Sequence, residues 1–313
     1  MLGVFESILP VFAVIVLGFL LRRFNFVEAS KWQVVDELCF WILFPSLLAS
    51  TLINTDLRTI EFDKIFYVLL GMILTISALM LVLYPFFRKT MRLGRPQYST
   101  LFQTVTRWHG FIAMALVLKF FGEPGLAVIA VAFVVLVPVL QLVNVTVLSI
   151  FSDKHKFSYF NVLKQIARNP ILLGCVVGMV VNFAGIPVWD PILTFLDLLG
   201  RAALGISLLA LGAGLSLRAA LKPSPVVGVA LVGKLVLVPL IMFGFAVLFG
   251  VTGDAFIILM ISAGVPTAMN GYVLAKKMGG DAELYASIAT VQTAASFFTL
   301  PLIILLARWW VGA

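Results

Sequence analysis

Ten stretches of the chain are apolar almost throughout: Val4–Leu21, Val34–Ile53, Ile65–Phe87, Tyr98–Phe121, Gly125–Phe151, Pro170–Val188, Ile192–Leu217, Pro225–Gly250, Ala255–Ala275 and Leu284–Trp310. Each is close to the ~20 residues an α-helix needs to cross the hydrocarbon core of a bilayer. The connections are short and polar, the longest being Ser152–Arg168, midway along. The pattern predicts an all-α membrane protein of ten transmembrane helices. Residues 1–151 form a first group of five, 152–168 a linking cytoplasmic loop, and 169–313 a second group of five.

Composition agrees, with 62% hydrophobic and 12% charged residues in 313. Soluble domains run nearer about 45–50% apolar and about 25% charged. A pI near 9.7 would suit a nucleic-acid partner, but the basic residues are gathered in loops between apolar runs. One set of alternate loops carries Arg22, Arg23, Lys31, Arg88, Lys89, Arg92, Arg95, Lys154, Lys156, Lys164, Arg168, Arg218, Lys222, Lys276 and Lys277. The other carries only Arg58, Lys64, Lys119 and Arg308. The positive-inside rule then places the first set in the cytoplasm and both termini outside, in a multi-pass protein of the cytoplasmic (inner) membrane with no nucleic-acid partner. Glu6 stands at the start of the first apolar run and Arg22 and Arg23 follow it, the reverse of a cleavable signal peptide. Cys39 and Cys175 lie inside apolar segments without metal-ligand spacing, and read as packing residues.

The ninth stretch is interrupted. In LMISAGVPTAMNGYVLAKKMGGD, from Leu259 to Asp281, a group of Gly264, Pro266, Thr267, Asn270 and Gly271 sits between two apolar halves. Proline has no N–H and its ring clashes with the preceding turn, so a continuous helix does not pass Pro266 undisturbed. Two readings stay open on this stretch alone: a packed proline kink, or a broken transmembrane helix of the kind that builds a binding site at mid-membrane. An internal repeat favours the second. Asp36 and the SLLA of Ser46–Ala49 recur at the same spacing as Asp197 and Ser207–Ala210, and VLKFFGEPGL in the fourth stretch corresponds to VLAKKMGGDAEL in the ninth. With five helices per half, the halves are related by inversion. The repeat sets Thr106–Gly110 opposite Ala263–Thr267, so broken helices four and nine cross at mid-membrane. Helix N-termini meeting there suit a carboxylate.

Charged groups within apolar runs face protein or water and mark function. Arg107 is the leading anion ligand, since a guanidinium grips a carboxylate with two hydrogen bonds; the alternative is a structural pair with Asp36 or Glu37. His109 is either a proton carrier or a hydrogen-bonded packing residue. Arg201 and Asp197, one turn apart, are expected to pair with each other. Lys234 either snorkels or meets substrate. Thr267, Asn270 and Gln292 offer hydrogen bonds, with Ser46, Ser207 and Asn54 as secondary candidates.

FPSLLASTL in the second stretch, TRWHGFIAMALVLKFFGEPGL in the fourth and VPTAMNGYVLAKKMGGDAELYASIATVQTAASFFTLPLI at the C-terminus resemble the auxin efflux carrier family, which includes bacterial malonate-type transporters and plant PIN carriers. The resemblance covers essentially the whole chain. It implies two inverted five-helix repeats, a scaffold and a transport domain, and an organic-anion site where helices four and nine cross. The expected substrate-binding residues are Arg107, His109, Gly110, Pro266, Thr267 and Asn270, with Ser46, Ser207, Lys234 and Gln292 secondary. Pro266 matches the family pattern. At the fourth-helix crossover the family commonly has asparagine, often followed by proline, and this chain has Arg107-Trp108-His109.

The expected function is secondary transport of small organic anions, malonate- or auxin-like carboxylates, by alternating access. No G-x-x-x-x-G-K-[ST], H-E-x-x-H or G-x-S-x-G occurs, which argues against nucleotide coupling and against an enzyme. The rival readings are an intramembrane enzyme acting on lipid or peptide, and a non-transporting sensor. No cofactor, metal or catalytic residue is expected. A coupling proton or sodium ion and a homodimer are left open; the expected partners are the anion and the lipid bilayer.

Overall fold

A computed structural model describes residues 2–151, 158–221 and 224–312; Lys154, Lys156 and Lys222 lie outside the described residues, as does 152–157 of the predicted linking loop. Every regular element among the described residues is helical. The helices are α1 (Leu2–Arg23), α2 (Trp32–Leu38), α3 (Phe44–Asn54), α4 (Phe62–Val82), α5 (Tyr84–Thr90), α6 (Arg95–Thr106), α7 (Gly110–Ile150), α8 (Tyr159–Ala167), α9 (Pro170–Phe183), α10 (Asp190–Gly214), α11 (Leu217–Ala220), α12 (Pro225–Val232), α13 (Val238–Leu248), α14 (Gly253–Gly264), α15 (Gly271–Met278) and α16 (Ala282–Val311). Two π-helical segments, Cys39–Leu43 and Gly233–Leu237, join α2 to α3 and α12 to α13.

Among the described residues, seven helical runs are long and apolar enough to cross a bilayer, eight when the pair α8 and α9, bent by 54°, is one span. The run Arg95–Ile150 counts once in that tally. At about 1.5 Å per residue it is far longer than a ~30 Å hydrocarbon core. It is interrupted twice, at residues 107–109 and at Gly122, whose φ of 65° lies outside helical space. The ninth predicted stretch is likewise divided, into α14 and α15. The sixth ends at Phe183 rather than Val188: Gly185 takes φ 62° and Pro187 follows, which together stop the helix.

Proline explains both π segments. Each is followed by one residue and then a proline, Phe44-Pro45 and Val238-Pro239. A proline donates no N–H to the carbonyl four residues before it, and the helix widens by one residue per turn just ahead of it.

The outward surface is apolar where a soluble helix would be polar. On α9, Leu173, Val176, Val177 and Val180 are exposed at i, i+3, i+4 and i+7. On α16, Phe298, Leu302, Leu306 and Trp309 are exposed, while Ser287, Thr290, Gln292, Thr293 and Ser296 are buried. Such inverted helices are stable against lipid, with polar faces held inside protein.

The chain divides into two compact units, each discontinuous in sequence. The first comprises Met1–Asp63, Gly110–Val134 and Lys164–Gly214. In it α1 packs along α10, and α3 against α9 and α10. A Cβ at Gly18 or Gly212 would strike the carbonyl oxygens of Leu209 and Ile15, so glycine is what lets α1 and α10 approach backbone to backbone. Asn182 Nδ2 lies 2.9–3.1 Å from the carbonyl oxygens of Leu52, Ile53 and Thr55, serving the otherwise unbonded end of α3. The second unit comprises Lys64–His109, Val135–Leu163 and Leu215–Ala313. Its central helix, α16, packs against α6, α11, α12, α14 and α15.

Candidate functional site

The polar groups of the second unit gather around two helix ends. The first is at Thr106. There α6 stops, although no proline or glycine stands before Gly110 to force it. Arg107 turns to extended backbone (φ −63°, ψ 149°) and still donates its N–H to Gln103 O at 2.9 Å. The Thr106 hydroxyl lies 2.9 Å from Phe102 O and 3.1 Å from Asn144 Oδ1, against which it also bonds the neighbouring α7. Trp108 and His109 are buried, and the Arg107 side chain is half-buried.

The second helix end is at Gly264. Here the cause is local: the residue before a proline is driven out of the helical region, and Val265 sits at φ −70°, ψ 150°. Residues 265–270 then form an extended segment and a turn before α15 starts at Gly271. Backbone groups released there are taken up by α16. Thr267 N–H donates to Gln292 Oε1 at 3.0 Å. Tyr285 donates its hydroxyl hydrogen to Ala268 O at 2.6 Å, so the Thr267 hydroxyl is the donor in its 2.9 Å contact with Tyr285 Oη. A Cβ at Gly271 would collide with that same Tyr285 oxygen. Gln103 Nε2 reaches Gly271 O at 3.3 Å.

Gln292 joins three elements. It is fully buried. Besides accepting from Thr267, its Nε2 donates to Ala230 O at 2.9 Å on α12 and lies 3.3 Å from Thr104 O near the end of α6. The two helix ends and the turn leading into the second π segment thus share one side chain.

Residues 3–304 match the membrane transport protein family, the family of the auxin efflux carriers. The chain belongs to that family. It is also similar to an uncharacterized transporter of Methanothermobacter thermautotrophicus, 24% identical over 303 residues that cover 96% of this chain and 97% of the relative.

Within this carrier, the predicted site residues fall into two sets. Arg107, His109, Pro266, Thr267, Asn270, Lys234 and Gln292 all belong to the second unit. Thr267, Lys234 and Gln292 are buried, whereas Asn270 is exposed and caps α15 without a side-chain bond. Gly110 belongs to the first unit, where a Cβ would meet the Phe133 ring. Ser46 and Ser207, also in the first unit, bond to Ile42 O and Leu204 O of their own helices at 2.8 and 2.9 Å. Arg201 Nε donates to Asp197 Oδ2 at 2.7 Å, the expected one-turn pair. No acid pairs with Arg107 among the described residues; its electrostatic neighbour is the Tyr285 phenol. Tyr285 and Gln103 were not among the expected site residues. Their trace in the sequence is spacing: Tyr285 and Gln292 are seven apart on one helical face, and Gln103 lies one turn before Arg107.

Proposed function

We propose that this membrane transporter carries small organic anions, carboxylates of malonate or auxin type, across the cytoplasmic membrane by alternating access. The observation that carries the reading is Arg107, a half-buried guanidinium in a break between two helices, with no acid paired to it among the described residues. A fixed cation at such a place calls for an anionic ligand, and guanidinium geometry matches carboxylate. The second break, at 265–270, supports it with the exposed Asn270 at the start of α15, where the helix dipole favours negative charge. Counting α8 and α9 as one span, dividing Arg95–Ile150 at Gly122, and taking α14 and α15 as one broken span gives ten, with the breaks at 107–109 and 265–270 inside the two crossing helices of the inverted-repeat plan. Each unit draws on both halves of the chain, as scaffold and transport domains of such a repeat would. The basic-loop asymmetry supports both termini outside.

The test is uptake of radiolabelled malonate and indole-3-acetate into proteoliposomes by Arg107→Ala and Arg107→Lys. Loss of a buried charged partner commonly costs about 2–5 kcal/mol, so Arg107→Ala should bind and transport at least ~30-fold more weakly. Arg107→Lys keeps the charge without the fork and should recover only part. Wild-type uptake by Arg107→Ala would remove the basis of this reading.

A further inference from the structure

Lys234 lies at the tenth position of the 24-residue span Pro225–Leu248, inside the second π segment, and is 2% exposed. At that exposure its ammonium does not snorkel to an interface. No hydrogen bond or ion pair reaches it among the described residues. The π segment packs against α6, α12, α13, α14 and α16; a Cβ at neighbouring Gly233 would stand 3.0 Å from Val105 Cγ2, in the last turn of α6. The charged and titratable groups on those elements are few. Neither α12 nor α13 has any. Asp254 and Glu283 are in the first turns of α14 and α16, and Arg308 is in the last turn of α16. Glu283 and Gln292 are nine residues apart, about 13 Å of helix rise. Arg95 opens α6, with Tyr98 one turn on, and Tyr285 is engaged with Thr267 and Ala268. The neighbour that feels the Lys234 charge is His109, in the first helix break.

The fold does not require a lysine here. The first π segment, Cys39–Leu43, has the same length and the same following proline, and is built from Cys, Phe, Trp, Ile and Leu. A buried charge with neither counter-ion nor hydrogen bond is retained at a cost, and it borders the break that holds Arg107.

We propose that Lys234 is a second anion-binding residue of this carrier, its ammonium pairing with an anionic group of the transported solute. The proposal rests on the organic-anion reading above and adds a ligand from a different helix. A lysine there acts as a compact point charge, where Arg107 supplies a planar fork.

The test uses the full-length protein in nanodiscs, with malonate, benzoate and inorganic phosphate as probes. Binding is read by calorimetry and by the rise in Tm. Lys234→Met should bind the best of these probes about tenfold or more weakly, Lys234→Arg should stay closer to wild type, and Lys234→Met without anion should melt no lower than wild type, because no pair is broken. A second measurement needs no variant: the rate at which acetic anhydride acetylates Lys234 in the wild-type protein, followed by mass spectrometry, should fall several-fold with saturating probe. Wild-type affinity in Lys234→Met, or acetylation unchanged by a probe that binds, overturns the proposal while leaving the Arg107 reading in place. If none of the three probes binds wild type, the organic-anion reading and this proposal fall together.

Discussion

Gln292→Leu is the substitution that tests the connection between the two helix ends most directly. Leucine is close to glutamine in size, so the packing of α16 survives and the change is one of hydrogen bonding. Three bonds disappear: from Thr267 N–H, and to Ala230 O and Thr104 O. Thr267 is fully buried, so its N–H is left without a partner, at about 1–3 kcal/mol. Ala230 O keeps the Gly233 N–H, so losing the amide from it and from Thr104 costs about 0.5–1.5 kcal/mol each. The total is about 2–6 kcal/mol, a lowering of Tm by about 4–24 °C at ~2–4 °C per kcal/mol. The assay is thermal unfolding of purified protein followed by intrinsic fluorescence, paired with amide hydrogen exchange over residues 262–271. Exchange at Thr267 should accelerate, since its protection comes from the side chain that was removed. Gln292→Glu retains the acceptor for Thr267 but turns an oxygen toward two carbonyls; Thr267 should stay protected while Tm still falls. Ser46→Ala, which loses a bond only to its own helix, is the control and should shift stability by less than ~1 kcal/mol. Wild-type Tm and unchanged exchange at Thr267 in Gln292→Leu would refute the assignment of Gln292 as the joining side chain.

Two further outcomes are expected. Gly212→Ala places a Cβ against the Ile15 carbonyl, which cannot rotate away, and should destabilise by about 1–3 kcal/mol; Gly205→Ala on the same helix faces open space and should be neutral or stabilising by about 0.5–1 kcal/mol, with parallel Tm measurements separating the two. A cysteine at Ser158 should be shielded from membrane-impermeant thiol reagents in intact cells and labelled after permeabilisation, and free labelling in intact cells would reverse the proposed orientation.

The break at Val265–Asn270 was legible because its cause is covalent and local. Pro266 removes a donor and restricts Val265 whatever surrounds them. The π segments, each tied to a proline in its own helix, and the end of α9 at Gly185 and Pro187 have local causes too, yet neither π segment was expected and the sixth stretch was expected to reach Val188. The lipid-crossing helices were legible for a different reason. In hydrocarbon, backbone groups must bond within their own segment, so a long apolar run has little choice but helix. The pairing of Arg201 with Asp197 needed only the 3.6-residue repeat.

The break at Arg107–His109 is of another kind. Nothing in Thr-Arg-Trp-His forbids a helix; what located the interruption was the repeat, which sets Thr106–Gly110 opposite Ala263–Thr267. Its placement depends on partners remote in sequence: Asn144 against Thr106, 38 residues away, and Gln292 against Thr104, 188 residues away. Tyr285 and Gln103 were passed over on the same ground, since a tyrosine and a glutamine in apolar helices look like ordinary packing until Ala268, Thr267 and Gly271 are brought beside them. Lys234 shows the division within one residue. The sequence placed a charge in an apolar span; only the packing of α6, α14 and α16 around the second π segment decided that it is buried and not drawn out to an interface, because the depth of a flexible side chain is set by its neighbours and not by its own helix.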